Sequence, residues 1–199
     1  IIIFSIFVST IFLTMEFNES KLNGWRHLYF LYSIIIIFVL DGIKFLFNKN
    51  NKKIVRYIIS TACVLNIFYL ISWSFINHPN QYVFFNFMTK SFSSKKFDLD
   101  YWGVSNLQAI KHILKESSKN KITVGTASFS SLHESTLKLP KKDRDRLEIV
   151  FNLENADFII DNNMKRLRNN FKIDKKKYKK ILEIKVYDLP INSIYKKTG

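Results

Sequence analysis

One cysteine, Cys63, is all that 199 residues contain, so no disulfide can form within the chain, and the redox compartment cannot be read from it. Proline and glycine are also scarce, at three and five. No internal repeat, long linker or low-complexity tail occurs. P-loop, dinucleotide-binding and G-x-S-x-G signatures are missing, which removes the commonest sequence marks of nucleotide and hydrolase chemistry. His112 and His133 stand alone without ligand partners at metal spacing, so no metal site is expected. Acids are outnumbered, 16 against 31 lysines and arginines, giving a net charge of +15. Such an excess can mark an anionic partner. Here Lys, Asn, Ile and Phe are abundant together, as in an AT-rich coding sequence, and the excess reads as a solvated lysine surface. No nucleic-acid partner is expected.

What is present divides in two. A mean hydropathy of −0.02 averages a stretch rich in Ile, Phe, Leu, Val and Tyr, residues 1–76, with a stretch rich in Lys, Asn, Asp and Ser, residues 77–199. Residues 28–47 and 57–76 each have about the twenty residues that a bilayer core requires. The second run carries no charge, and the first only Asp41 and Lys44. Residues 1–14 are too short to span alone and read as a partial span. The chain starts Ile-Ile-Ile inside that run, with no basic region before it and no A-x-A cleavage pattern after it. It therefore reads as the C-terminal piece of a longer membrane protein.

Loop charges orient the spans. Lys44, Lys49, Lys52, Lys53 and Arg56 crowd one short acid-free loop, which the positive-inside rule places in the cytoplasm. Residues 15–27, with Glu16 and Glu19 against Lys21 and Arg26, then face outward, as does everything after residue 76. Trp25, Tyr29, Tyr32, Tyr57, Trp73 and Tyr82 fall near the boundaries, where an aromatic belt is expected.

From residue 77 on, the pattern predicts a small extracytoplasmic α/β domain. His78-Pro79 ends the last span, because proline disfavours the helical region in the residue before it. Residues 82–87 form an aromatic run expected at the interface. Val104, Leu107, Ile110, Ile113 and Leu114 predict a helix within 102–117. Strands are expected at 122–127, 147–153 and 156–160, with a short helix at 131–137. Residues 174–180 read as a charged, helical connector. Two extended segments, 181–189 and 191–195, are expected either side of Pro190.

Three polar clusters are candidate sites. Trp25, Arg26 and His27 stand where a span meets water: the guanidinium fork suits phosphate and the imidazole can donate or titrate, or the group simply anchors helix depth. His78, Gln81 and Asn86 can line a site at the outer end of the last span, or cap the broken helix. Asp98, Asp100, Tyr101 and Trp102 join carboxylates to rings, which suits a sugar or a divalent cation, or a helix start with Asp100 near its N-cap. The cation is left undetermined, and no cofactor is evident.

Taken in order, Asn23-Gly24-Trp25-Arg26-His27-Leu28-Tyr29-Phe30, His78-Pro79-Asn80-Gln81-Tyr82-Val83-Phe84-Phe85-Asn86 and Asp100-Tyr101-Trp102-Gly103-Val104-Ser105 resemble the C-terminal part of bacterial multi-spanning glycosyltransferases. These are the lipid-carrier-dependent membrane enzymes akin to protein mannosyltransferases and aminoarabinose transferases. Their patterns read (D/N)GxRHxxF, HPxQxVYFN and DYWGxS. This chain departs at Phe84, where the second pattern has Tyr. The resemblance covers residues 20–110 and no motif beyond them. It implies transfer of a sugar from a polyprenyl-phosphate donor to an unknown acceptor, on the outer face of the bacterial inner membrane. It places the catalytic acid in a first external loop that this chain lacks, so catalytic residues are unknown. Arg26 and His27 become candidates for the donor phosphate. The rival reading is a non-catalytic membrane-anchored protein whose external domain binds a partner or envelope polymer.

Overall fold

The computed structural model describes residues 8–9, 30–49, 53–85, 98–128, 130–164 and 173–198. The chain forms two compact units, Ile1–Ser72 and Trp73–Gly199.

In the first unit, α1 (Phe30–Lys49) and most of α2 (Lys53–Ile76) are long and apolar enough to cross a membrane. Each runs a few residues beyond the apolar stretch seen in the sequence, because flanking lysines and Arg56 are good helix formers and continue the turn. Arg56 Nη2 donates to the carbonyl of Phe47 at 3.1 Å, which ties the two helix ends across the basic loop. Ile36, Val39 and Leu40 on α1, and Val64, Leu65, Ile67 and Phe68 on α2, are all exposed. A helix apolar all round, with its side chains facing out of its own chain, lacks the polar face of a surface helix in water.

The second unit is a five-stranded mixed sheet in the order β2-β1-β3-β5-β4. β1 (Ile122–Thr126) lies parallel to β2 (Leu147–Val150) and to β3 (Phe158–Asp161). β3 then pairs antiparallel with β5 (Leu189–Lys197), and β5 with β4 (Tyr178–Val186). Ahead of the sheet comes α3 (Asn106–Glu116), and the β1 to β2 crossover holds two short helices, α4 (His133–Leu137) and α5 (Lys141–Arg144).

Period-two alternation divides the sheet's side chains. Phe158, Ile160, Ile184, Val186 and Ile194 join Ala109, Ile110 and Ile113 of α3 in the main core. Ile159 and Tyr178 turn to the other face with Ala127 and Ala156, where Tyr195 adds partial cover. Full burial of Ile110 and Ile113 stabilises the α3 packing by roughly 2 kcal/mol each.

Three sequence expectations change. The charged stretch before β4 is a turn at residues 175–177, not a helix, and β4 starts at Tyr178. Tyr178 faces inward, its hydroxyl donating to the carbonyl of Ala156 at 2.9 Å, while Lys179 and Lys180 point out. The final hairpin breaks at Tyr187-Asp188 rather than Pro190, with Tyr187 in the left-handed region at φ 54°. Pro190 pairs with Lys185 beside a register shift at Ile184/Lys185, where a ring without an N–H is tolerated. The middle of the aromatic run after the last span folds inward: Val83 is buried in the main core, and Phe84 and Phe85 pack against it, while residues 86–87 lie outside the described residues.

Candidate functional site

The chain leaves α2 through a capped end. Asn77 Nδ2 donates to the carbonyl of Trp73 at 2.9 Å, and Asn80 N donates to the carbonyl of Asn77 at 2.6 Å. Trp73 and Tyr82, two of the rings expected near the membrane boundary, both make contacts within the sheet unit. Trp73 is buried, edge-on to Phe84 at 4.9 Å and 5.6 Å from the ring of Tyr187. The hydroxyl of Tyr82 donates to Asp100 Oδ1 at 2.6 Å.

Asp100 is fully buried and is the centre of a polar network. Oδ1 also accepts from Val104 N at 2.9 Å, and Oδ2 accepts from Ser105 N at 3.3 Å and Asn162 Nδ2 at 2.6 Å. Ser105 Oγ donates to the same oxygen. Ser128 and Ser130 each donate to Asn162 Oδ1 at 2.6 Å. Asn192 Nδ2 reaches Ser105 Oγ at 2.8 Å and Asn106 Oδ1 at 3.0 Å. Ser128, Ser130 and Asn162 follow the carboxyl ends of β1 and β3, the edge at which open α/β sheets usually receive ligands. Here the chain's own carboxylate fills that position.

Two opposed effects act on this carboxyl. Burial raises its pKa and outweighs the hydrogen bonds from Ser105, Tyr82, Asn162 and Val104, which lower it. Burial likewise pushes the Tyr82 hydroxyl up, and the neighbouring Asp100 charge adds to the effect. Gly103 makes the turn possible. Its φ is 63°, and an added Cβ would lie 2.6 Å from Asn106 Nδ2 and 2.9 Å from Ser130 Cβ.

Beyond the end of α2, the surface holds two hollows that share His78, Gln108 and Leu182. The smaller, about 290 Å³, is mainly polar, with Asn77, Asn80, Glu183 and Lys185 in its wall. The larger, about 660 Å³, has Pro79, Val104 and Leu107 as apolar lining and Lys111, His112, Lys115 and Lys138 as its basic side. Gln81 Nε2 donates to His78 Nδ1 at 2.7 Å.

Of the residues singled out from the sequence, Trp25, Arg26, His27 and Asn86 lie outside the described residues. His78 and Gln81 are brought together at the hollows. Asp100 points inward, whereas Trp102 is 70% exposed and stacks edge-on with Tyr101 at 5.1 Å. One tetrad of neighbours is thus split between core and surface. Sequence reasoning missed the partners of Asp100, since Ser128, Asn162 and Asn192 come from three separate strands or strand ends. It also missed the basic wall, although Lys111 and Lys115, four apart on one helix, were a readable signal. No protein-family model, curated protein or solved structure matches the chain.

Proposed function

We propose that this chain is the C-terminal part of an integral membrane glycosyltransferase. It would transfer a sugar from a polyprenyl-phosphate donor on the outer face of a bacterial inner membrane. In this reading α1 and α2 cross the bilayer, and the sheet unit lies on the extracytoplasmic side. The observation that carries it is the union of two of the three motif stretches. Tyr82 of the second and Asp100 of the third meet at 2.6 Å, and Gly103 and Ser105 of the third complete the same buried turn. Residues that resemble a family's motifs and also converge in space support a shared architecture better than either finding alone.

The geometry also allots roles. Asp100 accepts five hydrogen bonds and has no free surface, so it is a structural joint and not the catalytic acid. Tyr101 and Trp102 offer rings that suit a sugar or acceptor. It is the resemblance that assigns Arg26 and His27 to the donor phosphate and the chemistry to an acidic external loop. Replacing Arg26 with Ala in the full-length enzyme is expected to weaken use of the lipid donor at least tenfold, read as kcat/KM for the donor. Unchanged donor kinetics would sink the assignment, and absence of any sugar transfer by the full-length protein would favour the membrane-anchored binding protein.

A further inference from the structure

We infer that the larger hollow beside α3 is a docking site for the headgroup of an anionic glycerophospholipid, with the phosphate held by Lys111, Lys115 and Lys138. It goes beyond the transferase reading and needs no catalysis, resting only on the membrane placement of α2. Charge complementarity points to the occupant. Lys119, Lys177, Lys180, Lys185 and Lys196 each pair with an acid. None of Lys111, Lys115 and Lys138 has an acidic partner among the described residues, and no acid lines this hollow. Three ammonium groups on two elements, with His78 and His112 beside them, make a basic wall suited to a phosphodiester.

The remaining lining separates a lipid from a free anion. Pro79, Val104, Leu107 and Leu182 give the hollow an apolar side, which a bare phosphate would not use but the glycerol-ester region of a lipid would. Position agrees as well: the hollow begins at His78, two residues past the end of α2 at Ile76. If α2 spans, His78 follows it at the depth of the headgroups.

The test uses the full chain in a neutral maltoside detergent, titrated calorimetrically with dioctanoyl phosphatidylglycerol, dioctanoyl phosphatidylcholine and glycerol 1-phosphate. The phosphatidylglycerol is expected to bind at least tenfold more tightly than either control. A Lys111→Gln, Lys115→Gln, Lys138→Gln variant should lose at least tenfold in that affinity, and the matching triple Arg variant should keep it. Val104→Asp, which sets a carboxylate in the hollow without changing the core, should lose a similar factor. Equal affinity for the two lipids, or a Gln variant within twofold of the parent, overturns the proposal. Glycerol 1-phosphate binding as tightly as the lipid reduces the site to a phosphate site and overturns the lipid assignment. Because the titration needs no catalysis, a full-length protein that inserts in membranes but transfers no sugar would count against the transferase reading and leave this result standing.

Discussion

Asp100 is a buried joint of the sheet unit. Its two oxygens accept from a tyrosine hydroxyl, a serine hydroxyl, an asparagine amide and two backbone N–H groups, drawn from three places in the chain. Truncation leaves those donors buried without an acceptor, at about 1–3 kcal/mol for each one that water cannot reach. Asp100→Ala is therefore expected to cost at least about 3 kcal/mol, measured by denaturant melts of the detergent-solubilised chain. The pH dependence has a definite sign. A carboxyl whose pKa is raised on folding binds its proton more tightly in the folded state, so its contribution to stability falls as pH rises from the ordinary carboxylate range through the raised value. The stability of the parent relative to Asp100→Asn should accordingly shrink as pH rises out of the ordinary carboxylate range; a difference that grows with pH would contradict the burial account. Gly103 is the second sensitive residue. At φ 63°, with Asn106 and Ser130 within 3 Å of where a Cβ would lie, Gly103→Ala should destabilise by about 1–3 kcal/mol in the same melts.

Among the elements, α3 was the most legible, because an apolar stripe at 107, 110, 113 and 114 needs a helical period to share one face. Its observed start, Asn106, is later than the expected one at residue 102, since residues 100–105 are held in the Asp100 turn. Ile113 is fully buried against the sheet, and Ile113→Ala should cost about 2–5 kcal/mol, with the spread set by how far the cavity collapses. A loss under about 1 kcal/mol would mean that α3 is not packed as described. The last hairpin was legible in kind but not in register. Proline looked like the break, yet Tyr187 takes the left-handed turn position because its ring is held on Trp73 and its hydroxyl donates to the carbonyl of Phe85 at 3.3 Å. Those contacts reach about a hundred residues back along the chain, beyond any local pattern.

At the scale of the whole molecule, the proposed topology puts the sheet unit on the extracytoplasmic side of a bilayer. Ser130, a natural loop position from sequence, is buried in the Asp100 network and is a poor probe. Ser118 is exposed, and Cys63 is the only native cysteine. In a Cys63→Ser, Ser118→Cys chain, an impermeant maleimide is expected to label the protein in intact cells. Labelling only after lysis would place the unit in the cytoplasm and reopen the reading of its net charge of +15 as a nucleic-acid surface.

The sequence alone determined the division into an apolar and a polar half, the two span-length helices and the existence of most of the sheet's elements. All three follow from composition and from periods of 3.6 and 2, which act over a few residues and can be read locally. Only the tertiary structure decided what the polar motifs do. Asp98, Asp100, Tyr101 and Trp102 are adjacent in the chain, yet one carboxylate became a buried joint and one indole an exposed ring. That choice depended on Asn162 and Asn192, brought to Asp100 and Ser105 by strand pairing. The basic hollow has the same origin: Lys111 and Lys115 share a helix face, but Lys138 and His78 join them only because the chain folds three distant segments together. A hydrogen bond or a shared cavity is fixed by positions in space, and spacing along the sequence does not record them.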